Sequence, residues 1–278
     1  MAITKRVAER IQNSLRTFVP VLNAQKARDV SEADTVTIVK DLLSEVFGYD
    51  KYAEVTSEHA IRGTYCDLAV RVENKLAFLI EVKAIGIELK DSHIKQAVDY
   101  ASNQGCEWVV LTNAVEWHLY HVIFKKPIDK QEIASFDLLS INPKSEDDLE
   151  KLYLITREGF TKSALTDYRD RKDATSRFML AAIILHSDSV QTAIRREVRR
   201  VSEINVEEEI IEKMLRDEVL KRETIEGEQA DTAVRRVSRG IEKARRPTDK
   251  PAAEPEPAPT SAPTAAAAGV GAAPSAAN

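Results

Sequence analysis

Asp67, Glu81 and Lys83 fall inside the most strand-like stretch of the chain, GTYCDLAVRVENKLAFLIEVKA (63–84). A charge within a half-buried strand carries a desolvation cost unless it has a partner or a task. Side chains alternate faces along a strand, so residues two apart share a face. Leu76, Phe78, Ile80 and Val82 therefore form one face, and Ala77, Leu79, Glu81 and Lys83 the other. In the preceding run Asp67 shares its face with Tyr65 and Ala69, opposite Cys66, Leu68, Val70 and Val72. A hairpin turn centred on Asn74 sets Asp67 directly across from Glu81, with β-carbons about 4.5–5.5 Å apart. The pairing depends on register, and a one-residue shift in the turn would undo it.

Two carboxylates that close repel each other and raise one pKa. A divalent cation removes the conflict by taking oxygens from both. Mg²⁺ accepts one or two carboxylates, keeps several waters and borrows phosphate oxygens from its substrate. It also acidifies a bound water and offsets charge developing on phosphorus. Lys83 would orient or help deprotonate that water, or steady the transition state. The implied chemistry is metal-assisted phosphodiester hydrolysis. The competing reading is a partly exposed cross-strand ion cluster, and the run LAFLIEVKA is too apolar for a solvated edge.

The elements that must hold these residues follow from periodicity. Residues 3–23 show a helical stripe through Ile3, Val7, Ile11, Leu15 and Phe18, expected to end near Pro20. SEADTVTIVKDLLSEVFGYD gives a second helix, with Ser31 as N-cap, Gly48 as stop, and Val39, Leu42, Leu43 and Val46 as buried stripe. Strand-like runs lie around 53–58, 64–72, 76–84, 107–112 and 116–124. KDSHIKQAVDYASNQG forms a helix between the third and fourth, ending at Gly105. The fold class is α/β: a mixed central sheet flanked by helices, followed by an all-helical C-terminal extension. The expected organisation is an N-terminal helix (1–30), a sheet-bearing core (31–142), a helical extension (143–246) and a tail (247–278). The tail is rich in Ala and Pro, nearly lacks large apolar side chains, and reads as disordered.

The extension contains SEDDLEKLYLITREG, SRFMLAAIILHSDSVQTAIRREVRR, NVEEEIIEKMLRDEVL and DTAVRRVSRGIEKARR. Its runs RREVRR and RRVSRGIEKARR can line a helical face with arginines, which suits phosphate contact. Residues 190–246 nevertheless hold 14 basic and 13 acidic residues, so packing or oligomerisation is the better reading. Leu180, Ile183, Ile184 and Val190 would dock on the core or on a second copy. The 278-residue chain carries a net charge of −5, so nothing global attracts nucleic acid. Two cysteines and no signal peptide point to a reducing cytoplasm, and no stretch suits a membrane span.

At Cys66-Asp67 and Glu81-Val82-Lys83 the chain resembles the PD-(D/E)xK nucleases, with Cys66 in place of the signature Pro. Gln96-Ala-Val-Asp-Tyr100 is similar to the Q-x-x-x-Y motif of the restriction-enzyme and RecB-like branches, its spacing putting both residues on one helical face. EWVVLTNAVEWHLYHV and SEADTVTIVKDLLSEVFGYD resemble segments of the N-terminal nuclease domain of type I restriction enzyme R subunits. The resemblance spans about residues 30 to 125. It implies a restriction-endonuclease-like fold in which Asp67 and Glu81 ligate Mg²⁺ or Mn²⁺ with the Val82 carbonyl, and Lys83 is catalytic. It makes Glu45 an accessory carboxylate on the first core helix, against the alternative of a solvated helix charge. Gln96 and Tyr100, with Lys83, would contact the nucleic-acid backbone or order the site. The implied activity is hydrolysis of DNA, or of RNA, in restriction, defence or repair. The alternative is a non-catalytic module that binds nucleic acid or a partner. No G-x-x-x-x-G-K-[ST] loop is present, so a motor or methyltransferase would have to be a separate partner.

Overall fold

Helix α1 (Lys5–Ala27) buries Val7, Ile11, Leu15, Phe18 and Leu22 along one stripe. It runs through Pro20 instead of ending there, which corrects the expected stop. Pro20 lies on the exposed face, so the carbonyl it cannot bond is left to water, and burial of Leu22 continues the stripe. Helix α2 (Glu32–Glu45) starts at Ser31, whose Oγ accepts the Asp34 N–H at 3.3 Å, as its sequence predicts. It closes before Gly48, where φ is +84° and a Cβ would meet the Arg10 guanidinium at 2.7 Å. Arg10 donates to the carbonyls of Val46 (3.1 Å) and Phe47 (3.4 Å), fixing α1 to the end of α2. The structure, a computed structural model, describes residues 3–61 and 64–245. The expected tail lies outside the described residues.

Six strands follow: β1 (Val55–Ile61), β2 (Thr64–Val72), β3 (Lys75–Val82), β4 (Trp108–Thr112), β5 (Glu116–Ile123) and β6 (Asp129–Asp137). They form one sheet in chain order. All neighbours are antiparallel except β3 and β4, which helix α3 (Asp91–Gln104) joins as a parallel pair. The sheet is thus mixed, and β6 is a strand that the sequence pattern did not reveal. One face packs Leu68, Val70, Phe78, Ile80 and Val82 against α1, α2 and α4 (Glu146–Leu154). The other packs Ala69, Leu79, Val109 and Leu111 against Ile94, Ala97 and Tyr100 of α3.

The β2–β3 hairpin pairs Leu68 with Ile80, Ala69 with Leu79 and Val70 with Phe78, the expected line of register. It reaches that line by another route. The turn has two residues, Glu73 and Asn74, both at positive φ (51° and 63°), a conformation that matches the twist of the flanking strands. A bulge between Val70 and Arg71 then restores the register. Near the bulge the simple alternation fails: Ala77 enters the α1–α2 core and Leu76 packs on the α3 side. Cys66 also belongs to the α3-side core with Ala69, not to the face of Leu68.

Beyond the sheet lie α5 (Arg157–Thr161), α6 (Ala164–Ala174), α7 (Arg177–His186), α8 (Asp188–Ser202) and α9 (Glu208–Met214). A π-helical turn (Leu215–Val219), α10 (Arg222–Ile225) and α11 (Glu228–Arg245) complete the described chain. The helix expected across 176–200 breaks at Ser187, whose ψ of 107° is extended. Met179 and Ala182 of α7 form a small separate core with Ala233 and Val237 of α11, and Ile183 packs against it. Among the described residues, no helix is long and apolar enough to cross a membrane.

Candidate active site

The site forms at the C-terminal end of β3, where the parallel β3–β4 pair ends. In sheets of this kind ligands bind outside the carboxyl ends of parallel strands. Asp67 reaches across from β2, and its Oδ2 accepts the Val82 N–H at 2.7 Å. Glu81 is 7% exposed at the last turn of the pleat, beside Leu111 of β4. Lys83 follows just past the strand end, its backbone N–H donating to the Thr112 carbonyl at 2.8 Å. Its Nζ donates to Glu81 Oε1 at 2.8 Å and lies 3.5 Å from Glu32 Oε2. Glu32 opens α2, so one ammonium bridges a strand carboxylate and a helix carboxylate.

The backbone around this corner is fixed by side chains. Thr35 of α2 is fully buried, and its Oγ1 accepts the Ile85 N–H at 3.1 Å, tying α2 to the segment after β3. Asn113 Nδ2 donates to the Ile87 carbonyl at 2.9 Å, while its Oδ1 accepts the N–H groups of Val115 and Glu116. The β4–β5 turn therefore braces the segment that leaves Lys83.

Electrostatics follow from burial and from these contacts. Burial pushes the Glu81 carboxyl above its usual range, the Lys83 hydrogen bond pulls it back, and the Asp67 and Glu32 charges push it further up. Burial works against the Lys83 ammonium, but the Glu81 hydrogen bond and the charges of Glu81, Glu32 and Asp67 outweigh it, and its pKa is raised. Lys83 is thus held as a cation. Behind the carboxylates, burial and then the charges of Glu81 and Asp67 push the Cys66 thiol up to about 12. That thiol stays protonated and donates to the Ile80 carbonyl at 3.2 Å.

The structure brings together Asp67, Glu81 and Lys83, with Val82 joined through its N–H. It does not bring Glu45. That residue is exposed at the far end of α2, about 20 Å from Glu32 at a helical rise of about 1.5 Å per residue. The helix carboxylate at Lys83 is Glu32, which sequence reasoning missed. The one signal that pointed to it was its place in the first turn behind the Ser31 cap. Gln96 is exposed on α3, whereas Tyr100 is 1% exposed within the α3-side core. Burial raises the Tyr100 pKa, and the nearby Arg71 guanidinium works in the lowering direction. So deep a ring orders α3 against the sheet and cannot itself meet a nucleic-acid backbone. Among the described residues, no three His, Cys, Asp or Glu side chains are grouped to hold a metal ion.

Residues 38–136 match the family described as type I restriction enzyme R protein N terminus (HSDR_N). The matched segment begins within α2 and runs through β6 to Phe136, so it contains Asp67, Glu81 and Lys83 but neither Glu32 nor Thr35. The match bears out the resemblance seen in the sequence motifs of that segment, which is similar to a restriction-enzyme nuclease domain. No curated protein and no solved structure matches the chain.

Proposed function

We propose that the chain is a metal-dependent nuclease that hydrolyses phosphodiester bonds of DNA in restriction or a related defence or repair process. The observation that carries this reading is the buried corner itself, where Asp67 and Glu81 converge on one strand end with Lys83 as a fixed cation. A hard cation suits the donors. Two carboxylates with one ammonium leave net negative charge, and Mg²⁺ and Mn²⁺ favour carboxylate and water ligands. Asp67 and Glu81 would hold the ion, joined by the Val82 carbonyl, and the bound ion would supply an acidified water and neutralise charge on phosphorus.

The protein's own groups have distinct tasks. Asp67 is aimed by the Val82 N–H, a charge-assisted bond that fixes one of its oxygens. Lys83 keeps its proton, so it serves as a donor to phosphate oxygens as charge builds and not as the resting base. Glu32 balances Lys83 from the α2 side and limits its rotamers. Gln96, exposed on α3, supplies a contact to the nucleic-acid backbone, while Tyr100 orders α3 from within the core. A motor or methyltransferase partner would provide translocation or sequence recognition.

The test is incubation of the purified protein with supercoiled, linear and single-stranded DNA and with RNA, in Mg²⁺ or Mn²⁺. Wild type should cut DNA, and Asp67→Ala and Lys83→Ala should each lower the rate by about 100-fold or more. Wild type cutting no better than Asp67→Ala on every substrate would remove the nuclease reading. Binding without cleavage would establish a non-catalytic module instead.

A further inference from the structure

Helix α11 has two faces of different character. Ala230, Ala233 and Val237 are buried, and Ala233 and Val237, with Val234 and Ile241, pack with Met179 and Ala182 of α7. Away from that face, Arg235, Arg239 and Lys243 stand four residues apart in one row. Each is about 6 Å from the next along the axis, at a rise of about 1.5 Å per residue. Arg236 lies beside the row, and all four side chains are exposed.

Three observations separate this row from an ordinary solvated helix face. Like charges four residues apart repel and weaken a helix, so the row costs stability where it stands alone. Four other arginines of the extension are answered by carboxylates: Arg177 by Glu223 at 3.3 Å, and Arg200, Arg216 and Arg222 by Glu197, Glu212 and Glu226, each at 2.7 Å. Among the described residues no carboxylate pairs with Arg235, Arg236, Arg239 or Lys243, and Arg239 Nε turns only to the Arg235 carbonyl at 3.2 Å. The helix dipole favours cations in the last turn, which accounts for Lys243 but not for the three arginines more than a turn before the helix ends. Residues 232–245 hold five basic side chains and one acidic one, Glu242, within a chain of net charge −5.

We propose that the outer face of α11 docks on the phosphate backbone of duplex DNA. DNA carries one charge per about 1.7 Å of its axis, so cations about 6 Å apart meet phosphates along the whole row. A membrane surface does not fit, because an amphipathic helix binds one through its apolar side, and here that side is packed on α7. The contact holds and orients the duplex without reading its sequence. The proposal rests on the nuclease reading for the choice of DNA, and it places an anchor outside the matched segment 38–136.

Fluorescence anisotropy of the full chain with a labelled DNA duplex, in EDTA so that nothing is cut, tests it. Wild type should bind at low salt, and the logarithm of its affinity should fall linearly with that of the salt concentration. Arg235→Gln, Arg236→Gln, Arg239→Gln and Lys243→Gln together should flatten that slope by about 3–4 and weaken binding at least about tenfold. Removing as many cations from ion pairs, by Arg177→Gln, Arg200→Gln, Arg216→Gln and Arg222→Gln together, should leave the slope nearly as it was. Circular dichroism checks folding. Either fourfold variant that does not fold is replaced by a double, Arg235→Gln with Arg239→Gln or Arg216→Gln with Arg222→Gln, the first flattening the slope by about 2. A wild type that does not bind the duplex, a slope untouched by the α11 substitutions, an equal loss in the control, or capture by phosphatidylserine vesicles in place of DNA would each overturn the proposal. Cleavage in Mg²⁺ reads the β3 corner separately: a protein that binds with this slope and never cuts removes the nuclease reading and leaves the α11 surface standing.

Discussion

Glu81 and Lys83 both hold their protons more tightly in the fold than in the unfolded chain. The Glu81 carboxyl titrates above the usual carboxylate value of about 4.3, so the folded protein binds its proton more tightly than the unfolded chain does. Between those two pKa values stability falls as pH rises. In the metal site we propose, an incoming ion would displace that proton, so the apparent affinity for Mn²⁺ should strengthen as pH rises through the same window and then level off. Calorimetric titration checks this, and Glu81→Gln should bind more weakly with a flatter pH dependence. Lys83 has the same sign in a more alkaline window: its raised pKa adds stability below its unfolded value of about 10.4, lost as pH climbs through the folded one. Glu32→Gln removes one supporting charge and should move the alkaline limb of the pH–rate profile to lower pH. The charged trio was legible because alternation and a short turn fix a hairpin locally. Glu32 was not, because choosing between Glu32 and Glu45 requires knowing which end of α2 meets β3, a tertiary fact.

At the scale of elements, the strongest periodicities were readable and the weak ones were not. α2, α3 and their caps follow from Ser31, Gly48 and Gly105. Gly105 sits at φ +67° with no atom within 4 Å of where a Cβ would stand, so Gly105→Ala should lose about 1 kcal/mol through backbone strain alone. Thermal unfolding would measure it, and cleavage should be unchanged. β6 escaped because its first half is polar and a bulge at Leu119/Tyr120 puts Ile133 and Ala134 in consecutive buried positions, breaking the period of two. α6 escaped because only Ala164 and Leu165 are buried in it, too few to show a stripe. Arg10 is an element-scale anchor: its paired bonds to Glu158 (2.6 and 2.8 Å) join α1 to α5 as its carbonyl bonds join α1 to α2. Arg10→Ala should cost about 1–3 kcal/mol, read as a lower denaturant midpoint.

For the whole molecule, two cores sandwich one sheet and a third, smaller core of α7 and α11 stands apart. A chain ended after Thr175 keeps both sheet cores intact and should still unfold cooperatively, as far-UV circular dichroism would show. The net charge of −5 was readable at once, and it implies weak binding of DNA by the isolated protein.

The two-residue turn at Glu73–Asn74 also bears on the order of folding. It makes the contact between Asp67 and Val82 local, and hairpins of this kind close in about 1–10 μs. The parallel β3–β4 pairing must wait for the α3 crossover, a longer loop closure. Substitutions in the hairpin should therefore slow folding, while those at the β3–β4 seam should mainly speed unfolding, a difference that rate measurements across denaturant would show. The carboxylates would then meet before the walls around them have closed.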